Sequence, residues 1–437
     1  MLALRGGVVV TALDPPEVRS ADVLIDDGVI MAVGEVGEGP PPVDCSGCLV
    51  VPGNVCAHTH LYSALARGMP YTLEPPGTFL QILQRVWWRL DRALDERAIR
   101  ASALVGGAEA LLAGTTTLID HHASPNAIDG SLDVIADALE AVGIRSVLCY
   151  EVTDRDGLRR AKAGLAENRR FLGTQRRLAV GMVGAHASFS LGPETLEACS
   201  ELATTTRSGI HIHVAEDAHD QRDSLSRFAT RVVHRLAGAG VLTRNSILAH
   251  CIHLDDEETS LVRESGVAVA HNPTSNMNNS VGHASAEQLG VRVALGTDGT
   301  GADMIGEAKT AYFRQRDEDV FLGPQWPLAR LSEGTRLAAN HLALGGLGKI
   351  QIGAPADLAV LDYPSPTPID AGTLAGHWLF GLEAGNVRDV LVAGEVVVRN
   401  RRLTRVDQQA LLADARKVAR KLWERMSEIE AHGFGAV

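Results

Sequence analysis

The sequence predicts an α/β protein in which a (β/α)8 TIM-type barrel carries a small β-sandwich domain built from both chain ends. Three observations support this prediction. Eight apolar, β-branched runs in the middle of the chain are each followed by a loop and a helical stretch. Short β-branched runs separated by Gly, Pro and Asp occur near both ends. Histidines and carboxylates recur where the predicted barrel strands end.

The two ends of the chain have the same texture and are predicted to form one domain from residues 1–52 plus 350–437. The strand candidates are LRGGVVVTAL, ADVLIDDGVIMAVGE, DCSGCLVVPG, PADLAVLDY and VRDVLVAGEVVVRN. A final helix is predicted from about Val406, because apolar residues recur there at helical spacing. Its apolar face consists of Leu411, Ala415, Val418, Leu422 and Met426.

Residues 53–349 are assigned to the barrel. The strand candidates, which begin just before this range, are VPGNVCAHTH, TTTLID, RSVLCYE, LAVGMVGAH, GIHIHVAE, NSILAHC, GVAVAHNP and VRVALGTDG. Eight strands that alternate with helices over short connections are typical of a (β/α)8 barrel.

Composition excludes several classes of protein. The chain has 437 residues and a net charge of −12, which disfavours nucleic acid and anionic membranes as partners. It has no apolar run long enough to span a membrane and no signal-peptide pattern at its start. Its six cysteines are too few for a disulfide scaffold, so we expect reduced thiols in a cytoplasmic protein. Cys45 and Cys48 are interpreted as part of a turn between two strands.

Polar residues mark seven of the eight strand ends, where the active site of such a barrel lies. They are His58, His60, Asp120, His121, His122, His186, His211, His213, Glu216, His250, His271, Asn272 and Asp298. Scattered core or surface histidines are not expected to accumulate at these positions. The distribution therefore predicts a catalytic or metal site at this edge of the barrel.

His58 and His60 lie on the same face of one strand, because side chains alternate with a period of two. A lone His-x-His is more often incidental than a metal site. Together with His213 and Asp298 at neighbouring strand ends, however, the pair favours one metal ion. Three neutral imidazoles and a carboxylate suit Zn²⁺ or Fe²⁺, with water completing the coordination sphere.

Five segments carry a resemblance to a known family. GNVCAHTHL, IHIHVAE, LAHCIHL, HNPTSN and LGTDG occur in the order and spacing of the amidohydrolase superfamily. The chain most resembles the cytosine-deaminase-related, atrazine-hydrolase (TRZ/ATZ) branch, including GKIQIGAPADLAVLD near its end. Through IDHHASP and GTDGTGADM it also resembles the putative aminohydrolase SsnA group.

The resemblance implies a role for each strand-end residue. The metal ligands it implies are His58, His60, His213 and Asp298. It makes Glu216 the proton shuttle, and His250 the residue that binds or polarises the water or the attacked group. It places His186 against the substrate. The family's ligand stands three residues before the glutamate, which selects His213 and leaves His211 as a hydrogen-bonded core histidine.

One absence distinguishes this chain from dinuclear members of the superfamily. Those proteins bridge two metals with a carboxylated lysine at the end of the fourth strand, where this chain has LAVGMVGAHAS without lysine. We therefore expect a single divalent metal, Zn²⁺ or Fe²⁺. Deprotonation of a metal-activated water, assisted by Glu216 and Asp298, is the chemistry that hydrolytic deamination needs.

The sequence thus predicts a metal-dependent deaminase that releases ammonia from an aminated aromatic N-heterocycle such as a purine or pterin. The ligands do not fix the leaving group, so hydrolysis of a cyclic amide or dechlorination on the same site are alternatives. A non-catalytic scaffold is disfavoured because every implied ligand and Glu216 are present. The predicted substrate contacts are His186, His121, His122, Gln84, Asn272 and Asn276. Arg155 is interpreted as a solvated loop residue, and a homodimer is expected.

Overall fold

The computed structural model describes residues 1–37 and 42–435. The first strands are β1 (Leu2–Leu13), β2 (Pro16–Asp26), β3 (Val29–Gly34), β4 (Pro42–Asp44) and β5 (Cys48–Pro52). The barrel strands are β6 (Asn54–Thr59), β7 (Thr115–His122), β8 (Arg145–Val152), β9 (Ala179–Gly181), β10 (Val183–Ala187), β11 (Ile210–Val214), β12 (Ile247–His250), β13 (Ala268–His271) and β14 (Val293–Leu295). The last strands are β15 (Leu358–Asp362), β16 (Val387–Val392), β17 (Glu395–Arg399) and β18 (Arg402–Leu403).

The helices alternate with the barrel strands and continue to the end of the chain. They are α1 (Phe79–Ile82), α2 (Trp88–Ala93), α3 (Glu96–Leu112), α4 (Ser131–Val142), α5 (Leu158–Leu172), α6 (Pro193–Thr206), α7 (Ala218–Phe228), α8 (Val232–Gly238), α9 (Asp256–Ser265), α10 (Pro273–Asn278), α11 (Met304–Glu318), α12 (Trp326–Leu342), α13 (Leu374–Phe380) and α14 (Gln408–Ser427). A π-helical turn over Leu83–Trp87 joins α1 to α2.

The central sheet is a parallel barrel with the strand order β6-β7-β8-β10-β11-β12-β13-β14. Backbone bonds between its two ends close it: the Thr297 amide donates to the His58 carbonyl over 2.9 Å, and the His60 amide donates to the Asp298 carbonyl over 3.2 Å. The fourth predicted strand is split at Met182 into β9 and β10, and both parts pair with β8. The predicted (β/α)8 barrel is confirmed.

Strands from both chain ends form a second, mainly antiparallel sheet with the order β18-β17-β16-β15-β5-β1-β2-β3, and β4 pairs with β1. Its strands share one apolar core that includes Val9, Ile25 and Leu358. A buried ion pair links this sheet region to the barrel, because Arg145 of β8 donates to Asp357 over 2.8 and 3.0 Å. The exact division into domains at residues 52/53 and 349/350 stays a prediction.

The C-terminal helix α14 packs against α2 and α3 of the barrel. It begins two residues after the predicted start, where the Asp407 side chain accepts from the amides of Gln409 and Ala410. The chain after it, here called the C-terminal segment (residues 428–435), continues along α2. Arg89 fastens the junction by donating to the carbonyls of Met426 and Ile429 over 2.8 and 2.6 Å.

Two further findings bear on the predictions from composition. All six cysteines are buried free thiols, and the Cys48 amide donates to the Cys45 carbonyl over 2.8 Å, as in the predicted turn. Within residues 1–37 and 42–435, no helix has both the length and the apolar character to cross a membrane.

Candidate metal centre and active site

Four histidines and one aspartate converge at the carboxyl edge of the barrel. His58 and His60 come from β6 and the residue after it, His213 and His250 from β11 and β12, and Asp298 follows β14. The ring centroids of His58 lie 4.9 Å from those of His60 and 5.0 Å from those of His213. The Asp298 Oδ1 atom lies 3.1 Å from His60 Nε2 and 3.6 Å from His58 Nε2.

The donor set at this edge fits one divalent cation. His58 Nε2 and His250 Nε2 are buried and have no hydrogen-bond partner among residues 1–37 and 42–435. Burial lowers the pKa of His58 to about 3 and holds the pKa of His213 well below its usual range, so these imidazoles are neutral donors. Ligand atoms of His58, His213, His250 and Asp298 all lie within 4.8 Å of one another. Nitrogen and carboxylate donors in this number suit Zn²⁺ or Fe²⁺.

His60 is the one predicted ligand that does not belong to the four-residue donor group of His58, His213, His250 and Asp298. It belongs to an overlapping group with His121 and His213, whereas His250 completes the four-residue group. Burial alone would lower the pKa of His60, but the Asp298 carboxylate raises it to about 9. A cation bound to Asp298 would compete with that proton for the same carboxylate. The structure thus brings all four predicted ligands together, and their assignment as ligands stays a prediction.

Hydrogen bonds at Nδ1 turn the three predicted histidine ligands inward. His60 Nδ1 donates to the His121 carbonyl over 2.6 Å, and His213 Nδ1 donates to the His186 carbonyl over 2.8 Å. Because carbonyls only accept, both rings carry the proton on Nδ1 and present Nε2 to the centre. His58 Nδ1 lies 2.9 Å from His211 Nε2. The prediction of His211 as a hydrogen-bonded core histidine is confirmed.

Left-handed backbone at the strand ends directs two of these side chains. Ala215, His250, Cys251 and Asp298 have φ values of 46°, 73°, 54° and 54°. Such values are uncommon outside glycine and cluster at functional sites. The turn after β12 is held onto β11, because the Cys251 amide donates to the Val214 carbonyl over 2.9 Å.

A cavity opens directly beside the cluster. Its lining includes His60, His213, Glu216 and Asp298, together with the aromatic side chains of Phe79, Trp87, Trp88 and Phe189. Glu216 Oε2 lies 3.5 Å from His250 Nε2. Burial raises the pKa of Glu216 well above its usual range, and the nearby negative charge of Asp298 raises it further. This carboxyl group is therefore suited to carry a proton.

A family model described as the amidohydrolase family matches residues 49–397, which contain the whole barrel and this site. The chain belongs to the amidohydrolase family. The resemblance seen in the sequence is thereby confirmed.

Two relatives resemble this amidohydrolase over nearly its full length. A 5-methylthioadenosine/S-adenosylhomocysteine deaminase of Syntrophomonas wolfei is 29% identical over 422 residues, which cover 92% of this chain and 94% of that protein. A 5'-deoxyadenosine deaminase of Methanopyrus kandleri is 31% identical over 454 residues, which cover 96% of this chain and 99% of that protein.

Solved structures share the fold. An adenosine deaminase from Xanthomonas campestris with bound zinc superimposes with a TM-score of 0.83 at 24% identity, covering 98% of this chain and 99% of that chain. The atrazine chlorohydrolase TrzN from Arthrobacter aurescens, complexed with zinc, gives a TM-score of 0.82 at 23% identity, covering 96% and 100%.

Among the predicted substrate contacts of this amidohydrolase, His186 lines the cavity. Its Nδ1 lies 2.5 Å from the Ser190 hydroxyl, which fixes the ring. Asn272 and Asn276 are instead buried beneath His250: His250 Nδ1 donates to Asn276 Oδ1 over 2.8 Å, and Asn272 Nδ2 donates to the Ala270 carbonyl over 3.3 Å. Helix α10 begins at Pro273 and turns Asn276 back toward the barrel, so Asn276 orients His250.

Three further predicted contacts are not among the described residues that line the cavity. The Gln84 amide donates to the Phe434 carbonyl over 2.9 Å, because the C-terminal segment covers this side of the helix. His121 Nε2 faces backbone carbonyls of β10 and β11 at 3.1 and 3.2 Å. His122, on the opposite face of β7, lies 2.9 Å from the Ser124 hydroxyl.

The sequence analysis missed Glu151 and misassigned Arg155, both of which line the cavity. Arg155 is not solvated: its side chain is 1% exposed, and it donates to Glu151 over 2.7 Å. It also bonds Asp91, which no local pattern connects with it, and lies over the ring of Trp88 at 5.2 Å. Glu151 stands near the carboxyl end of β8, so the rule that selected the histidines would also have selected it.

Proposed function

We propose that this amidohydrolase is a metal-dependent deaminase that releases ammonia from an aminated, purine-like aromatic heterocycle. The observation that supports this proposal most directly is the position of Glu216, a buried carboxyl group that lines the cavity beside a cluster of His and Asp donors. The names of the relatives support the same reaction, since each describes the deamination of an adenine nucleoside. The aromatic rings that line the cavity are suited to stack on a flat heterocycle.

We further propose one Zn²⁺ or Fe²⁺ per chain, held by His58, His60, His213 and Asp298. The bound cation would supply Lewis acidity and an activated water nucleophile. Two solved structures of the same fold contain zinc, which supports a bound divalent metal in this protein and leaves zinc and iron as alternatives. Elemental analysis of the metal content of the purified protein tests the proposal. One tightly bound metal ion per chain is expected, and two would contradict it.

Residues of the chain perform the proton transfers in this proposal. Glu216 accepts a proton from the attacking water and delivers it to the ring nitrogen beside the attacked carbon. His250, whose Nδ1 proton is committed to Asn276, presents the Nε2 lone pair to the water. The new C–O bond forms and the first water proton stays on the ring nitrogen. The second water proton passes to the exocyclic amine, the bond to that amine breaks, and ammonia leaves. The products are the oxo-heterocycle and ammonia.

The decisive experiment is an ammonia-release screen of the metal-loaded protein against purines, purine nucleosides, pterins, pyrimidines and triazines. Glu216→Gln, loaded with the same metal, serves as the matched control. We expect release from a purine-like compound by the wild-type protein and near-background release by the variant. Release of chloride or ring opening without ammonia would contradict deamination and favour another leaving group on the same site.

The expected homodimer also stays a proposal. Sedimentation velocity of the metal-loaded protein tests it directly, and a monomer at micromolar concentration would contradict it.

A further inference from the structure

Five carboxyl groups and a single guanidinium group line the cavity beside the proposed metal centre. Its carboxyl groups are Glu151, Glu216, Asp217, Asp220 and Asp298. Among the cavity-lining residues that the structure describes, Arg155 is the only arginine or lysine. Asp298, a proposed ligand, would offset part of the charge of a divalent cation. The positive charge that the rest of the cavity can offer to a substrate therefore depends on Arg155 and its partners.

Arg155 is already bound to three carboxylates. Its Nη1 donates to Glu151 over 2.7 Å and its Nε donates to Asp156 over 3.2 Å, while Nη2 donates to Asp91. The four side chains are at most 4% exposed, so solvent screens these charges weakly. Arg155 also packs on the ring of Trp88, which fixes the plane of the guanidinium.

The carboxylates that bind Arg155 carry more charge than its guanidinium alone can offset. Burial opposes ionisation of Glu151 and Asp156, but Arg155 and neighbouring histidines hold the pKa of both carboxyl groups below their usual values. Burial raises the pKa of Asp91 to about 7, so Asp91 is only partly ionised near neutral pH. Arg160 also lies 3.9 Å from Asp156, but its side chain is 33% exposed, so solvent screens its charge. The buried guanidinium of Arg155 is thus outweighed by the carboxylates of Glu151 and Asp156 before Asp91 is counted.

We propose that the cavity selects heterocycles without an anionic substituent, because its one guanidinium is neutralised by Asp91, Glu151 and Asp156. The inference rests on the proposed deaminase function and names the substrate class within it. A phosphate or carboxylate on the substrate would meet like charge in a buried site, and such contacts are strongly unfavourable. We expect a carboxylate-bearing substrate to have a kcat/KM about 100-fold or more below that of its uncharged analogue.

The test uses pairs that differ in charge and hardly in shape. Adenosine 5'-carboxylate is compared with its 5'-carboxamide, and pterin-6-carboxylate with its carboxamide, on the metal-loaded full chain. Ammonia release and competitive binding are both measured. A strong preference for the carboxamides supports the inference, and equal kcat/KM or equal binding of the carboxylates overturns it. If no compound releases ammonia, the proposed function fails, and the binding ratio alone then decides the inference.

Variants locate the origin of the selectivity. Asp91→Asn removes one carboxylate that binds Arg155. The ratio of kcat/KM for the carboxamide to kcat/KM for the carboxylate should therefore fall about tenfold. Glu151→Gln is the second variant, in case the first does not fold. Asp414→Asn, whose carboxylate is 54% exposed and pairs with Arg97, is the matched control and should leave the preference unchanged. An unchanged preference in both folded cavity variants would contradict the role of the Arg155 cluster.

Discussion

Replacing Glu216 with glutamine is the sharpest test of the site, since it removes one proton carrier and keeps the volume of the side chain. Glu216 lies in the cavity wall with Oε2 3.5 Å from His250 Nε2. It belongs to none of the three donor groups found among the described residues that can hold a metal. The variant should therefore retain its metal while it loses the group that takes and returns the proton.

The size of the effect follows from that double use. General acid–base catalysis contributes about 10²- to 10⁴-fold, and Glu216 serves in both directions, so kcat should fall by about 10⁴-fold. That loss corresponds to roughly 5 kcal/mol of transition-state stabilisation. The assay measures kcat at saturating substrate together with metal content per chain, with the 86% exposed Glu257→Gln as a matched control.

Two results would refute this reasoning. Full metal content with near-wild-type kcat would show that Glu216 carries no proton. Loss of metal affinity by about 10- to 100-fold, with the rate restored by excess metal, would show that Glu216 instead supports a ligand.

Three other changes probe neighbouring parts of the molecule. His186→Ala should raise KM more than it lowers metal content, because the side chain lines the cavity. The backbone carbonyl of residue 186 remains in the variant and still accepts from His213 Nδ1, so loss of metal would contradict this prediction. Phe434→Ala should raise KM about 2- to 10-fold at constant metal content by removing a ring that supports Trp88, and the 92% exposed Phe321→Ala should not. Asp357→Ala should lower the free energy of unfolding by about 3–5 kcal/mol in denaturant titrations, since it leaves Arg145 buried without its partner; unchanged stability would show that water replaces the carboxylate.

The barrel and its donor cluster follow from local patterns in the sequence. Period-two alternation puts His58 and His60 on one strand face, and parallel strands bring their carboxyl ends to one edge, so His213 and Asp298 had to lie nearby. No long-range information is needed for this step. The same logic placed His186 at the cavity. Local pattern did not separate His213 from His211, which share a strand face; the resemblance to the amidohydrolase superfamily implied that choice.

Contacts between segments distant in the sequence were beyond that reasoning. Gln84 lies in a loop region that predicts pocket contact, but the C-terminal segment, about 350 residues further along the chain, occupies its amide. The partner of Arg155, Asp91, comes from a helix 64 residues earlier. Asn276 follows a strand end as the histidines do, yet the first turn of α10 directs it to His250. Which way such side chains face depends on the packing of helices and loops, which carry no fixed periodic relation to the strands.

The left-handed residues at the strand ends lower the stability of the fold, and bound metal would offset this cost. His250 and Asp298 cannot be exchanged for glycine without loss of their side chains, so the fold carries about 1–2 kcal/mol of conformational cost at each. Domains of this kind are stable by only about 5–15 kcal/mol in total. A cation present at 100 times its dissociation constant returns about 2.7 kcal/mol to the folded state. The protein should therefore melt at a lower temperature when stripped of metal, and cells short of that metal would lose the enzyme to unfolding and proteolysis as well as to inactivity.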